Sequence, residues 1–251
     1  MPLVLFDCDG VLVNTEELAG RLSRQFLAQA GLTYQDDVFD QRLAGTSFGD
    51  FRLRVSQDFL KATGQPIAAT FFEDMQNAYL QAEAQHIQPI AGVRDFIEAL
   101  VHAQIPFAVA SNSARANTER KLGLVGLLGF FKGHIFSCDD VAQGKPAPDI
   151  YLHAMQAMGK TVPGNCVVIE DSPIGVTAGH AAGMYVIGYA GGAHRASGYA
   201  GLLQRVGACF TAHTMPGVAF EAFDQIDEVK FGMQGRNYAL RQQRKATRQP
   251  N

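Results

Sequence analysis

Short apolar segments that alternate with helical patterns restrict the fold of this chain more than any other feature. Five of them are typical of buried strands, at residues 3–6, 107–110, 134–136, 166–169 and 185–188, and a weaker sixth spans 209–211. Between them, apolar residues recur at helical spacing, as at Val93, Phe96, Ile97 and Leu100. Strands that alternate with helices predict an α/β fold with a doubly wound, Rossmann-like parallel sheet.

The long segment between the first two strands breaks this alternation. Residues 16–86 contain no run that is typical of a strand, and their apolar side chains fall four apart, as at Leu18, Leu22 and Phe26. We therefore predict a small helical cap at 16–86, inserted into an α/β core of residues 1–15 and 87–229. A cap at this point would lie over the carboxyl ends of the strands, where open α/β sheets bind their ligands.

The composition narrows the classes of partner and leaves the oligomeric state open. The chain has 251 residues, is 47% hydrophobic and carries a net charge of −3, which does not favour a nucleic acid partner. No apolar stretch approaches the ~20 residues that span a bilayer, and no secretory signal is recognisable, so we expect no membrane partner. The four cysteines lack CxxC spacing, which favours reduced thiols and a cytoplasmic location.

The end of the chain differs in charge from the rest. Residues 230–251 contain six basic side chains and no acidic ones. We predict a solvated or surface-docked basic tail, and a contact with a partner chain or with the acidic body is the alternative.

Four polar stretches lie near the ends of strand candidates. They are Asp7-Cys8-Asp9-Gly10, Ser111-Asn112-Ser113, Gly144-Lys145-Pro146 and Glu170-Asp171-Ser172-Pro173. Because parallel strands end at the same edge of a sheet, we expect these stretches to converge on one pocket. Two aspartates that follow one strand would repel each other, so this pocket needs a cation or a reaction to explain it.

The residue types in this pocket indicate phosphate chemistry. Carboxylates supply only oxygen ligands, which suits a hard cation such as Mg²⁺, and Lys145 offsets part of the remaining negative charge. Ser111 and Asn112 open a helical segment, whose free N–H groups bind anions. Together these features imply a phosphorylated substrate, with one aspartate attacking phosphorus while its neighbour handles the proton. The four carboxylates are those of Asp7, Asp9, Glu170 and Asp171.

These four motifs, in this order, resemble the haloacid dehalogenase superfamily. The similarity extends from residue 3 to about residue 190 and is to the branch of phosphatases and β-phosphoglucomutase-like enzymes that carry a helical cap. The resemblance implies that Asp7 is the nucleophile, which forms an aspartyl-phosphate, and that Asp9 is the general acid and then the general base. It also implies that Ser111 and Lys145 bind the transferring phosphoryl group.

The same resemblance implies a metal site. Asp7, the main-chain carbonyl of Asp9, and Asp171 would hold Mg²⁺, and Glu170 would assist directly or through water. In the cap, Glu16 and Phe48 are candidate substrate contacts, although Glu16 could equally be a solvated side chain.

The leading prediction is a Mg²⁺-dependent phosphatase that acts on a small phosphorylated metabolite, with a sugar phosphate favoured. A sugar phosphomutase is the alternative. Resembling mutases hold a second phosphate with a histidine, an arginine and a lysine of the cap, and at the corresponding positions this chain has Ala19, Phe48 and Met75. A dehalogenase is disfavoured because that branch lacks the second aspartate. A non-catalytic phosphate-binding regulator is also disfavoured, since a binding protein needs no nucleophile.

Overall fold

The computed structural model describes residues 2–35, 38–39, 42–43, 48–191 and 198–231. The predicted basic tail at 230–251 lies outside these residues, except for its first two positions. Within the described part of the chain, no helix is both long enough and apolar enough to cross a membrane.

A six-stranded parallel sheet forms the centre of the molecule, which confirms the α/β prediction. Its strand order is β3-β2-β1-β4-β5-β6, and all six predicted strands are present, with ends that differ from the prediction by one residue at most. β1 lies in the middle, with Leu5 opposite both Ala108 and Val168. The chain order reverses between β1 and β4, which is the point where such sheets bind ligands. The strands are β1 (Leu3–Phe6), β2 (Phe107–Ser111), β3 (Ile135–Ser137), β4 (Cys166–Glu170), β5 (Tyr185–Tyr189) and β6 (Phe210–Ala212).

The segment predicted to be a cap is mainly helical and contains no strand among its described residues. It contains α1 (Thr15–Gln29), α2 (Phe48–Thr63) and α3 (Phe71–His86), which we call the cap helices, and α1 packs against α3. These helices share a hydrophobic cluster that is separate from the clusters on the sheet. A core of their own is consistent with an inserted unit, and its boundaries at residues 16 and 86 stay a prediction.

Helices cover both faces of the sheet because successive strand residues point to opposite sides. In β1, Val4 and Phe6 pack into one hydrophobic cluster with α4, α5 and α9, whereas Leu3 and Leu5 pack into another with α6, α7 and α8. The central strand is therefore buried on both faces, and its carboxyl end is the part that can meet a ligand. The helices are α4 (Val93–His102), α5 (Arg115–Leu124), α6 (Asp149–Ala157), α7 (Pro173–Ala181), α8 (Tyr199–Arg205) and α9 (Met215–Phe231).

Candidate active site

The loop after β1 places two aspartates at the centre of the sheet edge. The N–H of Asp7 donates to the carbonyl of Ile169 (3.0 Å), so the pairing between β1 and β4 continues into the loop. Beyond it, the N–H of Gly10 donates to the Val13 carbonyl (2.8 Å), and the N–H of Val13 donates to the Cys8 carbonyl (3.1 Å). These bonds fold the chain back on itself directly after Asp9.

Gly10 allows the loops after β1 and β4 to approach each other. Its φ is +80°, a left-handed conformation that favours glycine. A Cβ at this position would lie 2.0 Å from Oδ2 of Asp171. The glycine after the two aspartates is therefore required both by the backbone conformation and by the neighbouring carboxylate.

The buried ammonium of Lys145 joins three parts of the site. Its Nζ donates to Oδ1 of Asp7 (2.6 Å), to Oε1 of Glu170 (2.7 Å) and to the carbonyl of Ala110 (2.8 Å). It also lies 4.8 Å from the ring centre of Tyr151. Burial disfavours the charged form, but the carboxylates of Asp7 and Glu170 outweigh it and raise the pKa of Lys145 well above its ordinary value. The side chain therefore stays an ammonium.

The carboxyl group of Asp7 lies in an environment that resists its negative charge. Burial raises the pKa of Asp7 to about 7, with Lys145 opposing and the negative charges of Glu170 and Asp9 adding to the rise. A further cation beside Asp7 would favour its carboxylate form.

Three buried carboxylates form a cluster with the donor chemistry of a hard-cation site. Asp7, Glu170 and Asp171 each offer an oxygen, and these oxygens lie within 4.8 Å of one another. The ammonium of Lys145 cancels only part of their charge. Oxygen ligands and a remaining negative charge fit Mg²⁺, so the residues present are suited to the predicted cofactor.

Glu170 has both of its carboxylate oxygens bonded within the protein. Oε1 accepts from Lys145 and from the hydroxyl of Tyr151 (2.8 Å), and Oε2 accepts from the N–H groups of Asp171 and Ser172 (both 3.1 Å) and from the Ser172 hydroxyl (3.0 Å). A Cβ on Gly175 would lie 1.7 Å from Oε1. Glu170 therefore shapes the loop that carries Asp171, and its predicted role as a metal ligand stays a prediction.

The two predicted phosphate-binding residues after β2 are placed differently. Ser111 is buried, and its Oγ accepts from the N–H of Ser113 (3.1 Å). The side chain of Asn112 bonds the main chain of Lys145 at both ends: Oδ1 accepts from the N–H (2.8 Å), and Nδ2 donates to the carbonyl (3.0 Å). Asn112 thus fixes the loop from which Lys145 enters the site.

The carboxylate of Asp9 is held by three donors. Its Oδ1 accepts from Nζ of Lys121 (2.6 Å) and from the hydroxyl of Thr15 (2.8 Å), and its Oδ2 accepts from the hydroxyl of Ser113 (2.9 Å). Burial disfavours this carboxylate, but the Lys121 ammonium outweighs it, and the pKa of Asp9 falls below its ordinary value. The two aspartates therefore lie in opposite environments.

The sequence-based prediction missed three residues that contact the site, Lys121, Thr15 and Tyr151. The clearest case is Lys121. A signal for it exists, because Thr118, Leu122 and Val125 are buried and Lys121 falls on the same helical face. A lysine within an apolar stripe indicates a buried partner of opposite charge.

The cap residues are only partly described. Glu16 is half-buried in the first turn of α1, next to Thr15. Phe48 begins α2, and its side chain lies outside the described residues. Met75 is buried in the hydrophobic cluster of the cap helices.

Comparison with known proteins identifies the family. The family model of haloacid dehalogenase-like hydrolases matches residues 1–183, which contain all four polar motifs. The chain belongs to this family. The resemblance inferred from the motifs is thereby confirmed.

Relatives of this haloacid dehalogenase-like hydrolase include named phosphatases. A bifunctional riboflavin kinase/FMN phosphatase of Arabidopsis thaliana is 33% identical over 184 residues, 73% of this chain and 47% of that protein, so the chain spans about half of its length. The 6-phosphogluconate phosphatase of Escherichia coli K12 is 28% identical over 76% of this chain and 83% of its own. A HAD family hydrolase from Deinococcus radiodurans R1, solved with bound phosphate and sodium, is 30% identical, with a TM-score of 0.79 over 90% of this chain and 96% of its own.

Replacing Gly10 with alanine is expected to damage the site, because its Cβ would displace the carboxylate of Asp171. Gly133 is a matched control, since its φ is +81° and a Cβ there would meet nothing within 4 Å. Both variants carry the left-handed strain of about 1–2 kcal/mol, visible in urea unfolding. We expect Gly10→Ala alone to weaken Mg²⁺ binding by more than ~10-fold, about 1.4 kcal/mol, in isothermal titration calorimetry. Equal Mg²⁺ affinity in the two variants would show that the close approach is unimportant.

Proposed function

We propose that this hydrolase is a Mg²⁺-dependent phosphatase that cleaves a small phosphorylated metabolite through an aspartyl-phosphate on Asp7. The observation that carries the proposal is the difference in surroundings between two neighbouring carboxylates. Asp7 is buried against the ammonium of Lys145 at 2.6 Å, whereas Asp9 is bonded to Lys121 and two hydroxyls. This difference supports Asp7 as the nucleophile and Asp9 as the acid and base.

In the first half of the reaction, an oxygen of Asp7 attacks the phosphorus atom of the substrate. The bond between phosphorus and the ester oxygen breaks, and Asp9, which has taken up a proton before this step, gives that proton to the departing alcohol. Lys145 lies beside Asp7 and neutralises charge on the phosphoryl oxygens, and the hydroxyl of Ser111 and the N–H groups that follow β2 supply further donors. The product of this half is the phosphorylated carboxyl group of Asp7.

In the second half, Asp9 accepts a proton from a water molecule, whose oxygen attacks the phosphorus atom. The bond between phosphorus and Asp7 breaks, inorganic phosphate leaves, and both aspartates return to their starting states. The same carboxyl group thus gives a proton in one step and takes one in the next.

Asp7, Asp171 and the main-chain carbonyl of Asp9 would hold the metal ion, with Glu170 orienting the loop of Asp171. When bound, Mg²⁺ neutralises charge between these carboxylates and the phosphoryl group, which lets two anions approach each other. Without the positive charge of the metal ion, burial and the neighbouring carboxylates oppose the anionic form of Asp7.

The contacts of the cap favour water over a second sugar as the acceptor. A mutase must grip the far phosphate of a bisphosphate intermediate with cations of the cap. Arg54 donates instead to the carbonyl of Arg42 (2.6 Å), and the guanidinium of Arg52 lies 5.2 Å from the ring centre of Phe72. Met75 is buried among the cap helices. These contacts support hydrolysis.

A sugar phosphate is the substrate class that we favour. The names of the relatives, a 6-phosphogluconate phosphatase and an FMN phosphatase, support a small phosphate monoester. The cytoplasmic location and the exclusion of nucleic acid and membrane partners stay predictions.

Asp7→Asn is expected to abolish turnover, because the amide keeps the shape of the side chain but cannot attack phosphorus. Asp95→Asn, the same change on an exposed side chain of α4, is the matched control. Across a panel of sugar phosphates, we expect the kcat of Asp7→Asn to fall by more than ~100-fold, which corresponds to a rise in activation free energy of at least about 2.7 kcal/mol. The kcat of the control should stay near that of the wild type.

The assay follows free phosphate and the isomerised sugar phosphate together. The substrate is β-glucose 1-phosphate with a trace of glucose 1,6-bisphosphate. Faster formation of glucose 6-phosphate than of free phosphate would show that the enzyme is a mutase and not a phosphatase. If Asp7→Asn retains more than about a tenth of the wild-type kcat, a loss below ~1.4 kcal/mol, Asp7 is excluded as the nucleophile.

Removing divalent cations is expected to stop the reaction. Enzyme dialysed against EDTA should hydrolyse none of the sugar phosphates that the untreated enzyme accepts, and added Mg²⁺ should restore the rate, because the buried carboxylates otherwise repel the phosphate. The initial rate of phosphate release is the measurement. Full activity in thoroughly chelated enzyme would show that Lys145 alone neutralises the site.

A further inference from the structure

Two consecutive cations of α5 hold carboxylates from different parts of the molecule. Arg120 is paired with Glu83 of the cap helix α3, and Lys121 is paired with Asp9 of the active site at 2.6 Å. Glu83 is fully buried and also accepts from the hydroxyl of Tyr79 (3.1 Å). One turn of α5 is therefore fixed to the cap helices and to the predicted acid and base at once.

Lys121 lies where an ammonium is costly. Its side chain is only 11% exposed, on the same face of α5 as the buried Thr118 and Leu122. An apolar side chain at this position would avoid the cost of removing a charge from water. The ammonium of Lys121 forms its ion pair with Asp9, and the charge of Glu83 adds to its stabilisation. The direct contact with Asp9 points to a role in the site rather than in packing.

The contacts of Asp9 distinguish its two oxygens. A carboxylate oxygen accepts about two hydrogen bonds. Oδ1 receives two, from Lys121 and Thr15, whereas Oδ2 receives one, from Ser113. Among the contacts within the described residues, Oδ2 is thus the oxygen that retains an acceptor position for a reacting group.

We propose that Lys121 is a positioning residue that fixes the carboxylate of Asp9, so that Oδ2 rather than Oδ1 serves the leaving group and the attacking water. The Arg120–Glu83 pair holds the same turn of α5 against α3 and keeps Lys121 in register with Asp9. This inference rests on the proposed phosphatase function, because it assigns the group that orients the acid and base of that reaction.

The test compares two esters of similar shape whose leaving groups differ in basicity. Phenol, with a pKa near the ~10 of tyrosine, needs a proton as it departs, whereas p-nitrophenol is more acidic and needs it less. The full chain is assayed with phenyl phosphate and p-nitrophenyl phosphate as Lys121→Met, as Lys121→Gln and as Lys132→Met. The last variant removes an ammonium from an exposed position and is the matched control.

We expect Lys121→Met to lower kcat/KM for phenyl phosphate by about tenfold or more, a part of the ~10²–10⁴-fold that general acid catalysis contributes. For p-nitrophenyl phosphate the loss should stay below ~3-fold, since protonation of that leaving group contributes less. Lys121→Gln, which keeps a donor at this position, should recover part of the loss, and Lys132→Met should match the wild type.

The outcomes separate this inference from the function on which it rests. Equal losses on both esters, or a rise in KM with unchanged kcat, would make Lys121 a structural or substrate-binding residue and overturn the inference while leaving the phosphatase intact. Unchanged kinetics in Lys121→Met would overturn it as well. A wild-type enzyme that hydrolyses neither ester nor any sugar phosphate would contradict the phosphatase itself, and the role of Lys121 with it.

Discussion

The buried ammonium of Lys145 is the interaction on which the rest of the site depends. It enters from the loop after β3 and bonds groups at the ends of three adjacent strands, Ala110 of β2, Asp7 after β1 and Glu170 of β4. With the side chain of Lys145 only 2% exposed, loss of its ammonium would leave two buried carboxylates without their cation, at a cost of about 3–5 kcal/mol. This explains why both ends of the Asn112 side chain are used to hold the main chain of Lys145.

The same constraint separates the two aspartates that lie two residues apart. Asp7 shares Lys145 with a second carboxylate and is buried, so its pKa rises to about 7. Asp9 has a cation of its own, Lys121, and its pKa falls. A cation bound beside Asp7 would favour its carboxylate form, and Asp9 must take up a proton before it can serve the departing alcohol in the proposed reaction. The sheet edge thus gives two identical side chains different environments.

The sheet and the motifs could be predicted from the sequence because both depend on residues that are close together in the chain. Apolar runs indicated all six strands. The positions of the polar stretches near strand ends led to the expectation that they converge on one pocket. Lys121 was missed because the contact that explains it crosses 112 residues, and only the packing of α5 beside the loop after β1 brings the two groups together. The role of Asn112 was incomplete for the same reason, since its side chain bonds a loop 33 residues away. Long-range bonds of this kind have no signature at either end alone.

The stereochemical course at phosphorus tests the covalent step on Asp7 most directly. The measurement uses a phosphorothioate ester that is made chiral with oxygen isotopes and hydrolysed in isotopically labelled water, and it determines the configuration of the released thiophosphate. Attack by Asp7 followed by attack by water inverts phosphorus twice, so we predict net retention. Net inversion would mean that water attacks the substrate in one step, and it would contradict the assignment of Asp7 as the nucleophile.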